Sequence, residues 1–378
     1  MYNNSDSDKI IDNFNPGPAK LPQVVLKKIQ KDLLNYDNTG ISILETSHRS
    51  QEFNKIITNA KKNIQYLLKM PSNYEILFMQ GGSSSQFSTI PLNLCNNFEK
   101  NTCDILITGC WSEKAHEELS KYINVNIVWS GKDTNYTTIG DKKDWKLNEK
   151  ASFLYYCANE TVHGVEFQDI PEGYENIPLV GDFSSCFLSE AIDVSKFGII
   201  FAGAQKNVGS AGITIVIVRK DLLNNFNKLC PAMLNYTIMA EKNSMYNTPP
   251  CFSIYVSNLV IEWIRYEGGL TEMLKRKKKR SNIFYDLIKN SNSSYHCPVD
   301  IRYRSKMNVR LLISESGNKQ LEKKFIEDSL KENFIGLNGH RNLGGLRISL
   351  YNSQPIESCN RLCNFMKKFV LDTIETSK

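Results

Sequence analysis

The sequence predicts an α/β protein built on a mainly parallel, doubly wound sheet with helices on both faces. Seven short apolar runs rich in β-branched and aromatic residues, at 75–79, 104–108, 125–129, 152–157, 178–182, 199–202 and 213–218, read as strands. Helix-patterned or polar segments separate several of them, the alternation that favours parallel pairing through crossovers. Two of the runs open directly into small-residue turns, Gly81-Gly82-Ser83-Ser84-Ser85 and Ala202-Gly203-Ala204-Gln205, where such a sheet presents its ligand crevice.

In chain order, residues 21–70 carry a helical pattern. Pro22 suits a first turn, and Phe53, Ile56, Ile57, Ala60, Ile64, Leu67 and Leu68 recur at three- and four-residue spacing as one amphipathic face. The run 75–79 then leads through the glycine-serine turn into a segment where Phe87, Ile90, Leu92 and Leu94 mark another helix. Past Trp263 the texture changes to a lysine-rich helix, a strand near 309–313, a helix around 319–330, a strand near 346–351 and a final helix. The expected organisation is a polar tail at 1–12, a large domain at 13–267 and a smaller α+β domain at 268–378, parted near Gly268-Gly269.

Composition is compatible with this. At 378 residues and 41% hydrophobic content the chain can bury a sizeable core. Its 46 basic against 40 acidic residues give +6, a mild preference for anions that is too balanced for a nucleic-acid binder. Ten scattered cysteines without a Cys-x-x-Cys pair read as reduced core thiols, and no metal site is expected. The polar, acidic start lacks the features of an export or organelle address, and no apolar run approaches a membrane span, so a soluble cytoplasmic protein is expected.

Lys206 is the residue that points to chemistry. It sits beyond the run 199–202, in a loop of small residues ahead of the apolar run 213–218, so its amine is expected to be withdrawn from bulk water, which lowers an amine's pKa. A partly neutral lysine can attack a carbonyl and form an imine, the attachment chemistry of pyridoxal phosphate; taken alone, Lys206 reads rather as a surface lysine in a loop, and only its companions overturn that. Asp182 also ends a strand run, where a carboxylate can keep a pyridine nitrogen protonated or simply cap a turn. The turn from Gly81 to Ser85 has the character of a phosphate cradle at a helix start, or of an ordinary N-cap. Trp111, after the run 104–108, offers a flat face for stacking on an aromatic ring, or a core side chain. His48-Arg49 and His340-Arg341, the latter followed by Arg347, combine imidazole donors with guanidinium forks suited to phosphate and carboxylate, against a reading as surface ion pairs.

Together these segments resemble the phosphoserine aminotransferases, members of the fold-type I pyridoxal-phosphate enzymes in aminotransferase class V. The resemblance runs over nearly the whole chain through ordered motifs: Phe14-Asn15-Pro16-Gly17-Pro18-Ala19, Thr46-Ser47-His48-Arg49, Tyr156-Cys157-Ala158-Asn159-Glu160-Thr161, Ala202-Gly203-Ala204-Gln205-Lys206-Asn207, Asn247-Thr248-Pro249-Pro250 and Gly339-His340-Arg341. It implies a seven-stranded sheet in the large domain and pyridoxal 5'-phosphate as cofactor, held by Lys206 as the catalytic residue. It also implies Asp182 at the pyridine nitrogen, Trp111 on the ring and Thr161 on the ring's hydroxyl side. Ser83, Ser84 and Gln205 would hold the cofactor phosphate, joined by Asn247 and Thr248 of the partner subunit. Arg347 would take the substrate's α-carboxylate, and His340 and Arg341, with His48 and Arg49 of the partner subunit, the substrate phosphate.

The implied reaction is reversible amino transfer between L-glutamate and 3-phosphohydroxypyruvate, giving O-phospho-L-serine and 2-oxoglutarate in L-serine biosynthesis, in a homodimer with shared sites. A second candidate substrate is the 4-phospho-hydroxythreonine of vitamin B6 synthesis. The chain departs from the family at Ser83-Ser84-Ser85, where many relatives have a glycine- or arginine-containing phosphate loop. Two other readings stand beside this one. Alanine–glyoxylate transamination or cysteine desulfuration would use the same fold, but the two His-Arg pairs favour a phosphorylated substrate, and no cysteine lies in a plainly exposed glycine-rich loop. Nucleic-acid binding would rest on Lys275-Arg276-Lys277-Lys278-Lys279-Arg280, a run that the flanking Met273, Leu274, Ile283, Phe284 and Leu287 make the solvated face of a helix.

Overall fold

The computed structural model describes residues 11–173, 175–341 and 343–375; residues 1–10 of the expected tail lie outside the described residues. The seven expected strands form one sheet, in the order Tyr74–Gln80, Ile213–Arg219, Ile199–Gly203, Leu179–Asp182, Leu154–Cys157, Thr102–Ile107, Asn124–Ser130. All share one direction except Ile213–Arg219, which lies antiparallel between Tyr74–Gln80 and Ile199–Gly203. Burial on both faces selects the sequence of that strand, in which isoleucine, threonine and valine are buried at every position but the last. Asn124–Ser130, at the sheet's edge, carries asparagines and stays largely accessible.

The stretch 21–70 is not one continuous helix. Gln23–Asp32 and Gln51–Leu68 are α-helices, with short 3-10 turns at Tyr36–Asn38 and Ile43–Glu45 between them, and Pro22 stands just ahead of the first helix rather than inside it. Ser50 restarts the helix: its hydroxyl accepts the Phe53 N–H at 3.2 Å. The expected apolar face of Gln51–Leu68 is buried from Phe53 to Leu68 and packs on the helix Cys251–Tyr266. Each of its larger side chains contributes roughly 1.5–3 kcal/mol by that burial.

The C-terminal segment builds a second, antiparallel sheet in the order Tyr295–His296, Asn308–Ile313, Gly344–Ser349, Asn338–His340. Val309, Leu311, Ile313, Leu346 and Ile348 share a core with residues of the helices Gly269–Lys289, Lys319–Lys331 and Ile356–Phe369. By strand alternation, Asn308, Arg310, Arg347 and Ser349 occupy the opposite face. Gly268 and Gly269, at φ +107° and +68°, turn the chain between Cys251–Tyr266 and Gly269–Lys289, a left-handed backbone that glycine adopts at least cost. At the other end of the chain, Asp12–Asn13 pairs in parallel with Phe334–Ile335, and Arg361 grips the buried Asp12 carboxylate at 2.6 and 2.7 Å.

The basic run 275–280 departs from a solvated face. Lys277 and Arg280 are buried, because they fall with Met273 and Phe284 on the inner side of their helix, while Lys275, Lys278 and Lys279 are exposed. Arg276 pairs with Glu267 and Glu272. The run is therefore not a contiguous basic surface. None of the ten cysteines forms a disulfide, and among the described residues no helix is long and apolar enough to cross a membrane.

Candidate active site

The carboxyl ends of the parallel strands deliver the candidate residues to one crevice, as a doubly wound sheet dictates. Tyr74–Gln80 leads to Ser83 and Ser84, Thr102–Ile107 to Trp111, and Ile199–Gly203 to Gln205 and Lys206, while Leu179–Asp182 ends on Asp182 itself. These residues, with Thr161, His340 and Arg347, wall a cavity of about 260 Å³.

The half-buried Lys206 places its ammonium 5.2 Å from the centre of the Trp111 ring. The indole is pinned by its Nε1–H, which donates to Thr161 Oγ1 at 2.9 Å. Asp182 is buried, and its Oδ1 accepts the Ser184 N–H at 2.9 Å and the Ser184 hydroxyl at 2.5 Å. Burial pushes the Asp182 carboxyl above its ordinary range, opposed by the charge of Lys206 and the two bonds from Ser184. A cation set against this carboxylate would tilt that balance toward the ionised form.

Beside this pair, Ser83 Oγ lies 2.7 Å from Ser184 Oγ, which also receives the Gly203 N–H at 3.2 Å. No side chain caps the helix Ser84–Leu94; its Ser85 and Gln86 N–H groups turn back to the Gly82 and Ser83 carbonyls at 3.1 and 2.9 Å, and the positive end of the helix still suits an anion. A Cβ on Gly203 would come within 2.5 Å of Ser83 Oγ and 2.7 Å of Gln205 Oε1; only the missing side chain lets these two polar groups converge.

The other wall is cationic. Arg347 is 9% exposed, donates from Nη1 to the Thr161 carbonyl at 3.3 Å, and has no partner for Nε. Burial lowers its pKa. His340 and Arg347 also line an adjoining cavity of about 1200 Å³, where Arg341 lies exposed. The His340 imidazole is held below its ordinary pKa by burial, then by the charges of Arg347, Lys114 and Arg341. Such a concentration of positive charge favours an anionic ligand.

Four predicted residues fall elsewhere in the same chain. His48, Arg49, Asn247 and Thr248 line a separate cavity of about 590 Å³ together with Lys242 and Tyr246. The Gln80 amide ties that loop down, donating to Asn247 Oδ1 at 2.8 Å and the Thr248 carbonyl at 3.2 Å.

Sequence reasoning assigned no role to Glu160, the carboxylate that orients Trp111. Its Oε2 accepts the Trp111 N–H at 2.9 Å, and its Oε1 accepts the N–H and hydroxyl of Ser112 at 2.8 and 2.7 Å, so it caps the helix Cys110–Leu119 from a distant hairpin. Burial raises its pKa against those three bonds. Gly109 makes the approach possible, since a Cβ there would stand 2.6 Å from the Glu160 carboxyl carbon. The glycine and Ser112 mark a helix start in the sequence, but no local pattern names a partner 48 residues away.

Residues 11–362 match the family model described as aminotransferase class-V. The chain is similar to a Caenorhabditis elegans protein named probable phosphoserine aminotransferase, with 48% identity over 358 residues that cover 94% of this chain and 96% of that one. It is equally similar to the Drosophila melanogaster phosphoserine aminotransferase, 48% identical over 358 residues, 94% of this chain and 98% of the relative. Among solved structures, phosphoserine aminotransferase from Bacillus circulans subsp. alkalophilus matches with a TM-score of 0.91 and 40% identity over 96% of this chain and 99% of that one. The enzyme of the same name from Trichomonas vaginalis, solved with pyridoxal phosphate bound, matches at 0.90 and 37% over 95% of this chain and 100% of its own.

Proposed function

The chain belongs to the class-V aminotransferases, and on that footing we propose that this site performs the phosphoserine-aminotransferase reaction of L-serine biosynthesis: reversible transfer of an amino group between L-glutamate and 3-phosphohydroxypyruvate, giving O-phospho-L-serine and 2-oxoglutarate. The observation that carries the reading is the cationic wall, where buried Arg347 keeps an unpartnered Nε beside the Lys206 and Asp182 pair, with His340 and Arg341 adjoining. That wall suits a substrate with two anionic ends.

Pyridoxal 5'-phosphate is the cofactor, and when bound it supplies an electron sink for the pair left at the substrate's Cα. The residues fit it: the glycine at 203 opens a polar cradle at Ser83 and Gln205, the helix start at Ser84 is uncapped, and Asp182 offers a carboxylate to a ring nitrogen. Lys206 is then the amine that holds the group and that takes and returns the proton at Cα. Trp111 limits the ring's position from one face, its own position set by Thr161 and Glu160. Arg347 orients the α-carboxylate, and the His340 and Arg341 side receives the phosphate of one substrate and the side-chain carboxylate of the other.

His48, Arg49, Asn247 and Thr248 act, on this reading, in the neighbouring site of a homodimer. Their own cavity is polar and open, and the exposed Leu34 and Leu44, 84% and 63% accessible, supply apolar surface for an interface in the same N-terminal segment. We keep residues 13–267 and 268–378 as the two domains, and the cytoplasm as the compartment, in line with ten unpaired cysteines. The test is the visible spectrum of the purified, cofactor-loaded protein. Glutamate and O-phosphoserine should each change it and alanine should not; a spectrum indifferent to both amino acids would remove the proposal.

A further inference from the structure

In the C-terminal sheet, Arg310 and Arg347 are direct cross-strand partners. Opposed residues of an antiparallel ladder project from the same face with Cβ atoms about 4.5–5.5 Å apart, and like charges in that position repel. The sheet accepts this repulsion without a countercharge. Arg347 is buried and Arg310 half-buried, the Nε of each has no partner, and no carboxylate is among the charges that act on either one. Guanidinium groups stay protonated even so.

Arg310 is also closely covered at its base. The hairpin that carries Glu160 and Thr161 closes over it, so that a Cβ on Gly164 would lie 3.0 Å from Arg310 Cβ. The pKa of the neighbouring, buried His163 is lowered first by burial and then by the charges of Arg310 and His340. Its place opposite Arg347 in the ladder sets Arg310 on the side of the site that Arg347 and His340 line.

We propose that Arg310 is a substrate-selecting residue: a second fixed cation beside Arg347 that strengthens binding in proportion to the negative charge of the amino acid. The inference rests on the function proposed above. O-phosphoserine carries a net charge of roughly −2 near pH 8 and glutamate about −1, so a field effect acts about twice as strongly, in logarithmic terms, on the phosphorylated substrate. Arg310 is a positioning and field residue; Arg347 is the one that lines the cavity.

The test compares cofactor-loaded wild type, Arg310→Gln and Arg310→Lys. For Arg310→Gln we expect KM to rise about tenfold for O-phosphoserine and about threefold for glutamate, with kcat within about twofold. Arg310→Lys should recover most of both shifts, and the thermal midpoint of Arg310→Gln should not fall, because a like-charge contact is relieved. Unchanged KM values in a folded Arg310→Gln overturn the proposal, as do equal rises for both substrates that lysine fails to recover. Should the glutamine variant fold poorly, Arg310→Thr, neutral and suited to a strand, decides by the same ratio. A wild type inactive on O-phosphoserine removes the proposed function and this inference with it, whereas an active wild type with unshifted variants removes the inference alone.

Discussion

Lys277 and Arg347 are both cations withdrawn from water, and the molecule treats them in opposite ways. Lys277 is fully buried, and its ammonium meets Glu166 Oε1 and Glu190 Oε1, each at 2.6 Å. Burial disfavours its charge, but the two carboxylates outweigh burial and hold its pKa above the ordinary value. Arg347 is bound to no carboxylate, keeps one N–H unpartnered, and has its pKa lowered by burial. A charge neutralised from within the chain ties elements together; a charge left without its counterion is available to a ligand. Net charge, read from sequence, counts these two residues alike.

The comparison breaks most visibly on stability. Lys277→Met would leave the buried Glu166 carboxylate with only the Lys306 N–H and the helix Gly269–Lys289 untied from the hairpin below it. We expect a loss of about 3 kcal/mol in chemical unfolding, at the low end for a broken buried pair because Glu190 can turn to solvent. KM for glutamate should stay within about twofold. A variant of unaltered stability that bound phosphoserine poorly would reverse the assignment of the two cations.

Arg347→Ala should show the converse. Removing the guanidinium gives up its bond to the Thr161 carbonyl but relieves a buried charge that has no counterion, so the unfolding midpoint should hold or rise, while kcat/KM with phosphoserine should fall roughly a hundredfold, about 2–3 kcal/mol. Steady-state kinetics alongside a thermal melt checks both halves. Loss of stability without loss of kcat/KM would make Arg347 a structural cation like Lys277.

The contrast also explains what was legible in the sequence. The seven strands of the main sheet were legible because burial on both faces leaves continuous apolar runs, and Lys206 and Asp182 because each follows such a run where a crevice opens. In the sequence Lys277 and Arg280 read as solvated, because a helix written with six successive basic residues looks polar all round; only the tertiary position of Glu166 and Glu190 shows that one lysine turns inward. Glu160 and Arg310 escaped for a related reason. Their partners are Trp111 and Ser112 in one case and Arg347 in the other, far away in sequence, and pairing across a hairpin or ladder leaves no periodic trace. Within the stretch 21–70 the second helix is legible from its strongly amphipathic face, whereas the 3-10 turns ahead of it follow no apolar period.

His163 sharpens the contrast on a finer scale, since it stands among the cations of the site and has no carboxylate of its own. It is buried, its Nδ1 accepts the Cys110 N–H at 3.2 Å, and its ring packs on Tyr136 with centroids 4.7 Å apart. Burial first, and then Arg310 and His340, hold its pKa at about 4, below the 6.5 of a free histidine. The unfolded chain therefore takes up this proton before the folded one does. Stability conferred by neutral His163 is complete above pH 6.5 and is lost as pH falls from there toward 4. Between pH 7 and pH 5.5 the loss amounts to about 1 kcal/mol. His163→Gln, which can still accept from Cys110, should flatten that part of the profile by the same amount in unfolding measured across the window. A mutant profile parallel to the wild type would mean that His163 titrates normally, and that the positive field assigned to Arg310 and His340 does not reach it.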